Sequence, residues 1–511
     1  MLHRMIRYPL TVFVALFGLA VATAFGQTRI DPLVQRHWFE TRTAHFNIYS
    51  CAATQDVFKL SARLEQFRDA YSLLAGAQAV TSPPIMVMAF PDVEAMQPFL
   101  PLYQGKPANL AGFFRRDSDE NLIVLAFSGT NSTALDVIFH EYTHLLLRHN
   151  DLIWPLWLKE GMAEIYSTFE ATGHEVRVGK PISHHLRILR EEPPLPLAEL
   201  FAVSHDSPHY NEREHQGMFY AESWLLTHYL MQSDNPARKA QFTRLTVLLR
   251  QGQTPEQAFT NAFRTSLPVM QNELRRYLER GQFTPVDMVV KADLSAPRAL
   301  TTRGIAPAET CFQLGNELLR IGQLDTAEVY FLQAKKFAPT NPLPYEGLGL
   351  LAAEREKPAE AVLQLRESLQ RGSGSFHVHY TYAKERYHLT ADAQDRYTHL
   401  DKEAAAEIQN EIQKSISLMP SFGPAYELLG FFEMVQGDNL AEAESHLQKA
   451  IQLEPENQSY LLTLAQAQII AQDGAAARQT LAPLRATHID AKLRARAEEM
   501  IQEIGRQNPA H

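Results

Sequence analysis

In the stretch "VIFHEYTHLLL", Val137 to Leu147, two histidines stand four residues apart around a glutamate. On a helix of about 100° per residue, His140 and His144 are roughly 40° apart about the axis and one turn apart along it, so both imidazoles can reach one ion. Glu141 is turned away by about 100°, which suits a base beside a metal rather than a ligand on it. Ile138, Phe139 and Leu145 to Leu147 make the surroundings apolar, where unpaired polar groups are costly and a bound cation satisfies them.

Zinc sites that do chemistry take three protein ligands and leave the fourth position open, so a third ligand is needed nearby. The segment "WLKEGMAE" supplies Glu160, with fifteen residues between it and His144. Pro155 can start the helix that carries it, after a reversal of the chain around His149 to Asp151. Glu164 falls one helical turn further on the same face, where it can accept a hydrogen bond from the free nitrogen of His140.

These two segments together resemble the gluzincin metallopeptidases, the group that contains thermolysin and aminopeptidase N. Within it, the likeness is to small peptidase families with a "WLxEG(L/M)AE" segment that often carry tetratricopeptide repeats. The matched motifs cover about residues 120 to 230. The resemblance implies His140, His144 and Glu160 as zinc ligands, Glu141 as general base and Glu164 as support for a ligand. It also implies an oxyanion donor on the segment "GMFYAESWLLTHYL", with Tyr220 the first choice and His228 and Tyr210 weaker ones. A strand before the metal helix forms the substrate-pairing edge in gluzincins, and "NLIVLAF", Asn121 to Phe127, stands in that place or is an ordinary buried strand. The glycine-methionine-glutamate-asparagine segment with which aminopeptidase N captures a free amine is absent, so aminopeptidase action is not implied.

The element that must position the histidines is a helix beginning near Asn131, Ser132 and Thr133, where Thr133 to Asp136 has capping-box spacing. Trp154 and Trp157 are expected to pack the two metal helices together. His184, His185, His205 and His209 lie in polar or proline-bearing stretches and read as surface residues. Upstream, "HFNIYS", "PPIMVMAF" and "NLIVLAF" are strand-like, while Val57, Leu60, Leu64, Phe67 and Tyr71 form a helical stripe. The opening is thus α+β, with no phosphate-loop or dinucleotide glycine pattern.

From about Ala308 onward the sequence repeats with a period near 34. Leu314-Gly315, Ala327, Phe331, Ala334 and Pro339 recur as Leu348-Gly349, Ala361, Leu365 and Ser368, then as Leu429-Gly430, Ala443, Leu447, Ala450 and Pro455, and lastly as Leu464-Ala465, Ala477, Leu481 and Leu484. A degenerate copy with Tyr382-Ala383, Ile408, Ile412, Ser415 and Pro420 carries about thirteen extra residues around Thr390 to Ala404. This pattern resembles the tetratricopeptide repeat, whose helix pairs bury a core only by stacking.

Arg4 and Arg7 ahead of an apolar run from about Leu10 to Ala24 read as an export signal, with an uncleaved membrane anchor as the minor alternative. Without Arg4 and Arg7 the 48 basic residues become 46 against 58 acidic, a net charge of −12 that does not suggest nucleic-acid binding. Cys51 and Cys311 fall in different expected domains, so no disulfide framework is present, and Cys311 is expected to be a buried thiol.

The expected architecture is an α+β zincin-like metallopeptidase domain followed by an all-α tetratricopeptide-repeat solenoid. Its parts are a signal at 1–26, the peptidase at 27–282, a proline-bearing linker at 283–307, four to five repeats at 308–490, and a helix or tail at 491–511. The expected function is an exported, periplasmic or secreted peptidase with one zinc per chain, acting on a peptide or protein and binding a protein partner through its repeats. The competing expectation is a catalytically inactive or weakly active peptidase-like scaffold that acts as a protein-interaction module through its repeats.

Overall fold

In the computed structural model, residues 32–507 are described apart from 76–84, 104–105, 108–109, 117–120, 129–131, 149–153, 205–206, 208–212, 233–235, 296–298, 393–395, 438 and 486–489. The expected signal at 1–26 lies outside them. The chain divides into two compact units, one spanning Trp38–Gly304 and the other holding everything from Ile305 onward. No described helix is long and apolar enough to cross a membrane.

The first unit is built on a mixed sheet. Its strands are β1 (Phe39–Arg42), β2 (Phe46–Ser50), β3 (Ile85–Phe90), then the two-residue pair β4 (Leu102–Tyr103) and β5 (Lys106–Pro107), then β6 (Gly112–Arg116) and β7 (Asn121–Ala126). A further antiparallel ribbon joins β8 (Glu170–Thr172), β9 (Glu175–Val178) and β10 (Val286–Val289), and β11 (Thr301–Gly304) returns to the main sheet. The main sheet runs β11-β1-β2-β3-β7-β6, with β2, β3 and β7 parallel at its centre. Strands β3 and β7 are buried along nearly their whole length, which is why they read as continuous apolar runs.

One choice left open is decided here and one expectation is corrected. The strand β7 is the ordinary buried strand, and the edge beside it is β6, paired antiparallel to it. The segment 283–307 is not a linker, because β10 pairs with β9 and β11 pairs with β1. Both strands expose most of their side chains, so no apolar period marks them. Backbone pairing holds β11, aided by Arg303 Nε donating to Glu40 Oε2 at 2.6 Å and by Thr41 and Thr302 hydroxyls 3.1 Å apart.

Helices cover the sheet: α1 (Thr54–Ala75), α2 (Val93–Met96), α3 (Ser132–Arg148), α4 (Leu156–Ser167), α5 (Ser183–Glu191), α6 (Leu197–Ala202), α7 (Arg213–Gln232), α8 (Pro236–Arg250), α9 (Pro255–Phe263) and α10 (Leu267–Arg280). The expected stripe on α1 is buried from Val57 to Tyr71. Phe67 of α1 stacks on Phe139 of α3 at 4.5 Å between ring centres, so α1 and the histidine-bearing helix share one core.

The second unit is a row of helix pairs. In order they are α11 (Pro307–Arg320) with α12 (Leu324–Phe337), α13 (Leu343–Glu354) with α14 (Pro358–Gln370), and α15 (Phe376–His388) with α16 (Lys402–Leu418). Then come α17 (Gly423–Gln436) with α18 (Leu440–Leu453), α19 (Ser459–Ile470) with α20 (Gly474–Leu481), and a closing α21 (Ala491–Gln507). The small residue in each first helix marks a close crossing: a Cβ on Gly315 would meet Phe331 at 2.7 Å, one on Gly349 would meet Leu365 at 2.5 Å, and one on Gly430 would meet Leu447 at 2.7 Å. The insertion before α16 folds back, with Tyr397 4.6 Å from the Tyr387 ring and the Leu400 amide donating to Gln436 Oε1 at 3.0 Å. Cys311 is buried on α11, and neither it nor Cys51 is in a disulfide among the described residues.

Candidate metal centre

Helix α3 begins at Ser132, one residue before the expected Thr133 cap, while Asn131 lies outside the described residues. It buries Ala134, Leu135, Ile138, Phe139, Tyr142 and Leu145 to Leu147, which leaves His140 and His144 partly buried on the remaining face. The expected reversal at 149–151 lies outside the described residues. Helix α4 follows Pro155, which sits at the N-cap with extended backbone and accepts from the Leu158 amide at 3.0 Å. Glu160 on α4 is only 3% exposed. A buried carboxylate is costly unless partnered, and here its partners are the two histidines.

The three ligand atoms form a near-equilateral triangle. His140 Nε2 and His144 Nε2 are 3.2 Å apart, His144 Nε2 and Glu160 Oε2 are 3.1 Å apart, and His140 Nε2 and Glu160 Oε2 are 3.4 Å apart. Ligands about 2.0–2.1 Å from a tetrahedral zinc stand about 3.3 Å from one another, so these edges fit the metal. Among the described residues, this is the one group of three such side chains close enough to hold an ion.

Charge favours a cation there. Burial pushes Glu160 up, yet hydrogen bonds from His140 and His144 outweigh it and hold the carboxyl at about 2. Burial likewise lowers His140, but hydrogen bonds to Glu160 and Glu164 raise it to about 10. Glu164 stands as expected, with Oε1 3.4 Å from His140 Nδ1, and its two histidine partners hold it well below the usual carboxylate range against the push of burial. Glu141 is half-buried and makes no hydrogen bond or ion pair among the described residues.

Glycine accounts for how closely α4 is held. A Cβ on Gly161 would meet Thr227 Oγ1 at 2.1 Å and the Ser223 carbonyl oxygen at 2.4 Å, so α4 and α7 touch backbone to side chain beside Glu160. The same α7 carries Tyr220, whose ring centre is 6.1 Å from that of His140. His228, on α7 as well, is fully buried and tied to the Gly179 carbonyl at 3.0 Å and the Tyr277 hydroxyl at 2.6 Å. Burial lowers it to about 4, so it is a neutral packing histidine. Tyr210 lies outside the described residues.

His185 departs from its expected surface position: it is 7% exposed, with Nε2 3.1 Å from Glu164 Oε2. Helix α5 buries His185, Ile188 and Leu189, an i, i+3, i+4 stripe that helical periodicity could have revealed. Its neighbour His184 is exposed and bonded to Arg187 at 3.1 Å. His205 and His209 lie outside the described residues. Trp157, expected between the metal helices, instead stacks on Phe201 at 4.9 Å with Phe259 edge-on at 6.5 Å, joining α4 to α6 and α9. Trp154 packs half-buried against the same core.

Residues 308–341 match the family model for the tetratricopeptide repeat. They form such a repeat. The match ends at residue 341, short of the later copies and outside the unit that carries the histidines. Among solved structures, the chain is similar to YrrB, described as a TPR protein with an unusual peptide-binding site, at 16% identity over 38% of this chain and 92% of that one, with a TM-score of 0.31. It is similar to MamA from Desulfovibrio magneticus RS-1 at 17% identity over 40% of this chain and 97% of that one, with a TM-score of 0.28. It is also similar to pilF of Pseudomonas aeruginosa at 18% identity over 40% and 93%, with a TM-score of 0.30. No curated protein matches it.

Proposed function

We propose that the repeats from residue 308 onward bind a protein partner and that the Trp38–Gly304 unit is a zinc-dependent peptidase. The repeat match supports the first half, since stacked helix pairs offer an extended concave surface to peptides. The peptidase half is carried by one observation: the triangle of His140, His144 and Glu160 atoms with 3.1–3.4 Å edges, with Glu141 next to His140 in the same helix.

Zinc held by His140, His144 and Glu160 would supply a Lewis acid at this position. Glu141 then takes the proton of the attacking water and returns it to the leaving amine. Glu164 accepts from His140 Nδ1, which fixes the tautomer that presents Nε2. Tyr220 donates its phenolic hydrogen to the developing oxyanion, a role supported by its ring centre lying 6.1 Å from that of His140. An extended substrate pairs with β6, the last strand of the sheet, next to β7, among the described residues. The leader-like residues 1–26 would carry the protein out of the cytoplasm, which sequencing of the mature N-terminus tests.

A second reading, a scaffold acting through its repeats without turnover, is the one the known-protein comparisons favour, because they concern the repeats. Metal analysis together with peptide-library cleavage separates the two. The peptidase reading expects one zinc per chain and hydrolysis that falls about 10²- to 10⁴-fold in Glu141→Gln while zinc is retained. Absence of cleavage by the zinc-loaded wild type, with partner capture that survives Glu141→Gln, would leave the scaffold.

A further inference from the structure

Behind the ligand triangle stands a second pair of contacts made by one carboxylate. Glu164 places Oε1 3.4 Å from His140 Nδ1 and Oε2 3.1 Å from His185 Nε2. The two imidazoles come from different helices, α3 and α5, and the carboxylate from a third, α4. His185 is held in turn: α5 buries Ile188 and Leu189 beside it, and the Trp224 ring of α7 lies 6.2 Å from its own.

We infer that His185 is a positioning residue for the metal centre, acting through Glu164 on the orientation of His140. The last torsion of a glutamate is broad, so a carboxylate with one anchor can turn in place. Imidazoles 3.4 and 3.1 Å from its two oxygens favour one plane, the His185 contact being an ion pair rather than an aligned hydrogen bond. That plane sets the direction of the His140 Nδ1–H, hence of the Nε2 lone pair that faces His144 and Glu160. Carboxylates and other groups that orient metal-bound histidines are commonly worth 10- to 100-fold in metal affinity. His184 cannot take the role, because it is exposed and engaged with Arg187.

The inference rests on the reading that the cluster binds zinc, and its test reads metal binding rather than turnover. On the full chain, zinc affinity is measured by chelator competition, the visible spectrum of the cobalt-substituted protein reports ligand geometry, and melting of the metal-free protein reports folding. His185→Phe, which keeps bulk and removes the donor, is expected to weaken zinc about 10-fold or more and to alter the cobalt spectrum, with metal-free melting little changed. His185→Gln, whose amide nitrogen can reach Glu164, is expected to restore both. In a Glu164→Gln background the effect of His185→Phe should largely vanish, and His185→Asn, too short to reach, gives the same comparison if the phenylalanine variant does not fold.

Zinc affinity and cobalt spectrum unchanged in His185→Phe or His185→Asn overturn the inference while the zinc reading stands. Equal loss in His185→Gln, tracking a fall in metal-free melting, also overturns it by assigning His185 to packing. A wild type that takes up neither zinc nor cobalt removes both readings together.

Discussion

Glu222 of α7 is fully buried, accepts from the Leu195 amide at 2.8 Å, and has Gln271 Nε2 3.5 Å away. Burial raises it from 4.5 to about 7, with those two bonds pulling the other way. Its folded form therefore holds a proton that the unfolded chain releases above about 4.5. The associated stability is present below that value and is lost as pH rises through 7, a change of roughly 3 kcal/mol at most. Glu222→Gln should raise the melting temperature at pH 8 and change it little at pH 5, which thermal melts at the two pH values check. At this scale, His140, His144, Glu160 and Glu164 were legible in the sequence because helical spacing alone puts each pair on one face. His185 was not: its contact with Glu164 joins two helices, and only the burial of one face of α5 makes it.

Gly161 shows what an element demands of a single residue. With Thr227 Oγ1 2.1 Å and the Ser223 carbonyl 2.4 Å from a virtual Cβ, Gly161→Ala must push α4 off α7. Such overpacking costs about 1–3 kcal/mol. Chemical denaturation should show that loss, and zinc affinity should fall with it because Glu160 is the adjacent residue. The strand β11 makes a separate demand. Glu40 is 1% exposed and is met by Arg303 Nε at 2.6 Å and Arg42 Nε at 2.7 Å. A fragment ending at residue 282 lacks both β10 and β11, and should melt well below one ending at residue 304. Equal melting of the two fragments would mean that these strands do not close the sheets.

At the scale of the whole molecule, the two units are stabilised by contacts of different range. Each repeat touches its neighbours, so stability adds from pair to pair and the exposed end needs a cover. Helix α21 is that cover, with Ala497, Met500 and Ile504 buried against Ala465, Ala477, Leu481 and Leu484. A fragment of residues 305–511 should fold alone, and removing 491–511 should lower its melting temperature and increase its binding of an apolar dye. The repeats and the grouping of His140, His144 and Glu160 were determined by the sequence itself, because both depend on spacing within one helix or one helix pair. The tertiary structure alone decided that β7 is interior, that 283–307 contributes two strands, and that His185 reaches Glu164. Those facts depend on backbone pairing and helix docking between distant segments, and exposed edge strands leave no apolar period by which a linear reading could find them.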